Sequence, residues 1–155
     1  MFKFSKIIIS LFGIGFFPWA SGTIGTFFSL VFFYMLFKSL SFFILIYIFI
    51  GIFIISLKLI KFYSITNKSH DSSEIIIDEF LGINFILIFY DYFKFTNDFS
   101  MFIIIFFVFR FFDIVKIFPA NWIDKNMTNS WGVILDDIVA ALYSVCLLYI
   151  INAYI

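Results

Sequence analysis

The sequence predicts an all-α fold, a multihelical integral membrane bundle with about four to five short transmembrane helices. Three observations carry that expectation. Of 155 residues, 64% are hydrophobic and 13% charged, against roughly 45–50% and about 25% in soluble domains, so polar surface is too scarce to enclose a soluble core. Apolar stretches recur between short polar breaks. The polar residues gather in four islands at the ends of those stretches. Ten basic and ten acidic residues cancel, which leaves no net field to draw the chain to nucleic acid. One cysteine, Cys146, excludes an intramolecular disulfide and reads as a small packed hydrophobe. The 28 Phe, beside abundant Ile, Lys, Asn and Tyr, match an AT-rich coding bias and are not read as a ligand box.

At the start, Lys3 and Lys6, an apolar run over 7–17 and Ala20-Ser21-Gly22 resemble a secretory leader, but Gly13, Gly15 and Pro18 interrupt the run. The longer apolar runs follow at 24–37, 42–57, 80–90, 99–112 and 138–155. A run of 14 residues rises only about 21 Å, short of the ~30 Å hydrocarbon core. The helices must therefore extend into their polar flanks or thin the bilayer. Five spans place Lys3, Lys6, Lys58, Lys61, Lys68, Arg110, Lys116 and Lys125 on one face and Lys38 and Lys94 on the other. Basic residues are retained on the cytoplasmic side, so the N-terminus is expected there. Most acids sort to the same face, and only Asp91 and Asp98 lie opposite. Orientation does not require that; it points to chemistry at the cytoplasmic surface of a single domain, 1–155.

The first island runs from Gly13 to Thr26, ahead of a predicted helix. Glycines let backbone approach a ligand, and free N–H groups at a helix start favour an oxyanion, which makes Thr23, Gly25 and Thr26 candidates for phosphate. A turn with Thr23 or Thr26 as helix cap explains the island equally well. The second is Asp78-Glu79-Phe80-Leu81-Gly82. Two adjacent carboxylates at a membrane boundary repel and lose solvation, so they require a cation, unless they only complement a helix dipole.

The third island spans 109–119. Arg110, Asp113 and Lys116 are spaced by three, which on a continuing helix lines them along one strip. Arg110 is a natural bidentate clamp for phosphate and Lys116 adds a second cation, though Arg110 and Asp113 also suit simple mutual neutralisation. The fourth contains Gly132 and the pair Asp136-Asp137. Asp78, Glu79, Asp113, Asp136 and Asp137 together offer enough oxygens for one or two Mg²⁺ ions with a phosphate and water. His70, Asp71, Ser72, Ser73 and Glu74 read as a solvated loop, and Asp91, Lys94 and Asp98 as an exposed hairpin on the far side.

In this order the islands resemble the phosphatidylglycerophosphatase A family, whose patterns are G-x-G-x-x-P-x-A-P-G-T-x-G-T, D-E-F-x-G, F-R-x-F-D-x-x-K-P-x-P and G-G-x-G-x-x-x-D-D-x-x-A-G. They stand here at 13–26, 78–82, 109–119 and 129–141. Ser21 replaces a family Pro, Ile117 the Pro after the Lys, Asn129 and Ser130 the Gly pair, and Ala141 the closing Gly. No charged group is lost. The resemblance implies a multihelical, Mg²⁺-dependent enzyme of a bacterial inner membrane that removes the phosphomonoester of phosphatidylglycerophosphate to give phosphatidylglycerol. For that reaction we expect Asp78, Glu79, Asp136 and Asp137 on the metal, with Asp113 in the catalytic set, and Arg110, Lys116, Thr23, Gly25 and Thr26 on phosphate.

An independent check agrees on the reaction type. Cys146 has no Arg a few residues beyond it, His70 stands alone, and no D-x-D pattern supports an aspartyl-phosphate, which leaves metal-assisted attack by water. The rivals are a small transport or ion-pathway protein, which predicts charges spread through the bilayer depth, and a phosphatase for another lipid phosphate. The D-G-x-x-A-R pattern of CDP-alcohol transferases is absent.

Overall fold

The computed structural model describes residues 2–37, 40–67, 74–92 and 99–154. His70 to Ser73, Lys38, Lys68, Lys94 and Asp98, and the side chain of Asp91, lie outside the described residues. Among the described residues the secondary structure is helical throughout: α1 (Phe2–Ile9), a 3-10 turn (Ile14–Phe16), α2 (Ser21–Phe37), α3 (Phe42–Asn67), α4 (Ile77–Tyr92), α5 (Phe99–Val115), α6 (Ala120–Asn126) and α7 (Ser130–Tyr154).

Each of the five long helices contains one of the apolar runs, but most reach further than the run. α3 continues to Asn67 instead of stopping at 57, α4 starts at Ile77, and α7 starts at Ser130 instead of 138. The carboxylate pairs are thus inside the helices, Asp78-Glu79 in the first turn of α4 and Asp136-Asp137 about two turns into α7, not in loops ahead of them. Two helices, Phe42–Thr66 and Ser130–Tyr154, are long and apolar enough to cross a membrane, each 25 residues, or about 38 Å of rise. Ser21–Leu36 is a shorter apolar helix.

α4 is the axis of the bundle and packs against α2, α3, α5 and α7, while α1 lies on α3 and α6 on α7. Phe80, Leu81, Ile83, Ile86, Leu87 and Tyr90 are all buried, so beyond its first turn α4 is apolar around most of its circumference, with Asn84 a buried polar exception, because helices pack around it. Phe33 of α2, Ile105 and Phe109 of α5, and Ala140, Ala141 and Leu148 of α7 complete the main core. A second core joins Ile9, Ile60, Tyr63, Ile75, Leu81 and Ile134 beneath the N-terminal helix. The leader-like segment is therefore packed structure: Ile9 is fully buried and its carbonyl accepts the Ile76 N–H at 3.0 Å.

Two buried hydroxyls bond back to their own helices, Ser29 to the Gly25 carbonyl (2.6 Å) and Ser144 to Ala140 (2.8 Å), whereas the Ser56 hydroxyl is buried without a partner among the described residues. In an apolar interior such a group has no water to turn to. Near the charged end, Tyr63 donates to Glu74 at 2.6 Å and Lys6 approaches it at 3.0 Å. These contacts fasten α1 and α3 to the segment that leads into α4. The Tyr63 hydrogen bond first, and Lys6 after it, hold the Glu74 carboxyl below its ordinary value against the opposing effect of burial.

Two outcomes follow from this packing. A Cβ at Gly82 would meet the Phe109 ring at 2.7 Å, so Gly82→Ala should destabilise the protein by about 1–3 kcal/mol, read as a lower thermal midpoint in detergent. Because Glu74 titrates lower in the folded state, its contribution is complete above its unfolded value and is lost as pH falls through the folded one. Glu74→Gln should therefore flatten the loss of stability on acidification in that window.

Candidate active site

Three helix N-termini and one C-terminus meet at one end of the bundle: the starts of α2, α4 and α7 and the end of α5. Between them lies a cavity of about 240 Å³ whose lining includes Ser21, Asp78, Glu79, Asp113, Lys116, Asp124, Asp136 and Asp137. It is smaller than pockets for drug-sized ligands, roughly 300–1,000 Å³, and matches a phosphate with a few waters. Oxygens of Asp78, Glu79 and Asp137 lie within 4.8 Å of one another. Asp78 and Glu79 reach this point because they occupy the first turn of α4, where Asp78 Oδ1 accepts the Glu79 N–H at 3.1 Å. Asp137 comes from α7 and is buried.

The cations border these acids. Arg110 Nη1 donates to Asp113 one turn along α5 and lies 3.8 Å from Glu79 Oε1. Lys116 is not on that helical strip, contrary to the expectation from spacing. α5 ends at Val115, and Lys116 turns left-handed (φ 47°) while its N–H closes onto the Phe112 carbonyl at 2.9 Å, a helix termination usually given to glycine. The turn sends its ammonium away from Asp113 to Asp124 (2.6 Å) and Asp136 (2.7 Å). Burial opposes its charge, but these two carboxylates outweigh that and raise the ammonium above its ordinary value.

Asp136 therefore stands outside the trio of converging oxygens, with Oδ2 on Lys116 and Oδ1 buried without a hydrogen-bond partner among the described residues. Glu79 Oε2 and Arg110 Nε are buried in the same condition. Glu79 and Asp136 line the cavity and Arg110 stands behind Glu79 and Asp113, outside the lining, so the charged end keeps unmet polar capacity beside the cavity.

Thr23, Gly25 and Thr26 do not line the cavity. α2 begins at Ser21, so neither threonine is a helix cap; Thr26 is fully buried and its hydroxyl donates to the Gly22 carbonyl at 2.8 Å. Gly25 faces Ile76, where a Cβ would meet the side chain at 3.2 Å. The glycine of this island that touches the site is Gly22: a Cβ there would collide with Glu79 Oε1 and lie 3.2 Å from Arg110.

Ser21, Asp124 and Thr128 also line the cavity, and sequence reasoning gave Ser21 and Thr128 no role. Asn129 has one too. Its side chain accepts the N–H groups of Trp131 (3.1 Å) and Gly132 (3.0 Å), capping α7 ahead of the Asp136-Asp137 pair. An Asn just before an apolar helical run is a cap signal in its own right.

Residues 7–152 match the model of the family described as Phosphatidylglycerophosphatase A. The chain belongs to that family. It is 31% identical over 141 residues to "Phosphatidylglycerophosphatase A" of Escherichia coli (strain K12), covering 91% of this chain and 79% of that one. It is 34% identical over 83 residues to the Haemophilus influenzae protein of the same name, covering 54% and 48%. The chain thus spans about half of one of these relatives and about four-fifths of the other. No solved structure matches significantly.

Removing Lys116 leaves the Asp136 carboxylate, 8% exposed, without its counter-charge. Lys116→Met should therefore cost about 1–3 kcal/mol, less than for a fully buried pair because Lys116 is partly solvated. Adding Asp136→Asn should restore most of that loss, as a double-mutant cycle of thermal unfolding would read.

Proposed function

We propose that this chain hydrolyses the phosphomonoester of phosphatidylglycerophosphate, giving phosphatidylglycerol and phosphate, with Mg²⁺ held by Asp78, Glu79 and Asp137. The observation that carries the proposal is the convergence of those three carboxylates with Lys116 in one cavity at one end of the bundle, with Arg110 just outside its lining, held against Glu79 and Asp113. The residues present fit the metal. They are hard oxygen donors at mutual distances one cation can bridge, and Glu79 Oε2 is buried without a hydrogen-bond partner. A bound Mg²⁺ would offset their charge and polarise the phosphoryl group.

The chain's own groups supply the rest. Arg110 sits where its guanidinium can take phosphate oxygens, and Glu79 and Asp113 hold it in place. The Lys116 ammonium, fixed by Asp124 and Asp136, adds charge against the negative charge that grows in the transition state. The N-termini of α2, α4 and α7 point their positive dipole ends at the same space. Asp136 lines the cavity with its Oδ1 unpartnered, and its carboxylate takes the proton of the attacking water. The bond from phosphorus to the glycerol oxygen then breaks, Asp136 returns the proton to that oxygen to give the alcohol, and phosphate leaves.

The five long helices then cross the membrane in alternation, with α2, α4 and α7 starting and α5 ending at the cytoplasmic face. The charges at that end and the basic residues sorted there favour a cytoplasmic site in a bacterial inner membrane, within one domain over 1–155. A transport role is less well supported, because the described charges of the cavity gather at one end of the helices.

Purified protein should release phosphate from phosphatidylglycerophosphate more than tenfold faster than from phosphatidic acid, and chelation should abolish release. Asp136→Asn should lower kcat by about 10²-fold or more at saturating Mg²⁺. Asp78→Asn should chiefly raise the Mg²⁺ concentration required. Equal phosphate release by Asp136→Asn and wild type would remove Asp136 from the mechanism, and inactivity on both lipids would overturn the substrate reading.

A further inference from the structure

A second concavity has no part in that chemistry. Between α2 and α5 runs a groove of about 430 Å³, walled by Phe27, Val31 and Met35 on one side and Phe102, Ile103 and Phe107 on the other. Its walls are almost wholly apolar, and Phe27, Met35 and Phe107 are more than 60% exposed. Exposure alone would mark only a lipid-facing surface, but this groove is tied to the charged end by its geometry.

The two helices run antiparallel. Gly22 at the start of α2 lies against Arg110 near the end of α5, and further along Tyr34 packs edge-on against Phe102 with ring centroids 4.6 Å apart. The groove therefore begins near the level of Arg110 and leads away from it. Phe107 forms part of its wall and also of a shallower hollow lined by Arg110, Phe111 and Leu147. Arg110 thus stands with Asp113 and Glu79 on one side and an apolar surface continuous with the groove on the other. From Phe27 to Met35 the groove extends about 12 Å along α2, close to the ~15 Å depth of one leaflet.

We infer that the α2–α5 groove seats one acyl chain of the lipid whose phosphate lies at Arg110, so that the substrate is held by its tail as well as its headgroup. The inference rests on the lipid-phosphatase reading for the identity of the headgroup. An ordered chain aligns the ester phosphate with the carboxylate cavity and prepays part of the positioning cost.

Val31→Trp and Ile103→Trp, from opposite walls, fill the groove without touching the charged cavity. Each should lower kcat/KM for a dipalmitoyl substrate by about tenfold, the effect of losing contact with roughly two methylenes. A dihexanoyl substrate in the same detergent should change less than twofold, and its retained turnover shows that the variant is folded. Met35→Ala, at the far end, should shift the preference toward longer chains. Independently of turnover, a phospholipid with a diazirine at the acyl terminus should label Tyr34, Met35 or Phe102 in wild type, and Val31→Trp should remove the label. Equal losses for both chain lengths, or no labelling in the groove, overturns the inference. So does a detergent-stable dimer that Val31→Trp dissociates, which assigns the groove to a second copy. Wild type that is inert on both lipids but labelled in the groove would sink the substrate reading and leave the acyl site standing.

Discussion

The structure depends on how three carboxylates, Asp78, Glu79 and Asp137, are brought within 4.8 Å of one another at the mouth of an apolar bundle. At that separation, and with an effective dielectric near 20, two unit charges repel by about 3–4 kcal/mol. Three such pairs amount to roughly the whole net stability of a domain, about 5–15 kcal/mol. With all three ionised, the arrangement is tenable only with positive charge close by. Arg110 supplies some, the dipoles of three helix N-termini supply more, and a divalent cation would supply the remainder. Much of the fold can be understood as the means of assembling those elements at one point.

The small residues serve that assembly. Gly82 lets the Phe109 ring of α5 lie against α4, and Gly22 gives Glu79 room beside Arg110. The departures from the family pattern are absorbed in the same region. Ser21 is the first residue of α2, where proline is favoured because its missing N–H would be unpaired in any case, and where serine is equally acceptable. Asn129 replaces a glycine with a side chain that caps α7, and Ala141 is fully buried in the main core. Each change preserves the helix start or contact that sets the carboxylates.

α6 and the turn before it form a strap on the other side of the cavity. Lys116 ends α5 in a left-handed conformation and ties the strap's Asp124 to Asp136 of α7, and the Tyr143 hydroxyl holds the Phe118 carbonyl at 2.6 Å. Without the strap Lys116 would be a solvated terminal residue. With it, the ammonium is fixed beside Asp136, and Asp124, Met127 and Thr128 form one wall of the cavity.

The sequence by itself determined the class of fold and the chemical inventory. Scarce charge in an apolar chain must collect where solvent or a partner can reach it, so the islands at 78–82, 109–119 and 129–141 were legible as linear patterns. Helix ends were less so, because the apolar runs mark only the apolar middle of each helix, while α4 and α7 continue through their carboxylates into polar flanks. What each charge pairs with was decided by tertiary structure alone. Spacing by three is true of Arg110 and Asp113 because both lie on one helix. It fails for Lys116 because the backbone turns left-handed there and an aspartate from another helix, 20 residues on, comes within reach. The glycine-rich segment shows the same limit: its pattern suggests backbone donors for phosphate, but packing turned Thr26 inward and left Gly22, through the space it gives Glu79 and Arg110, as the glycine that shapes the site.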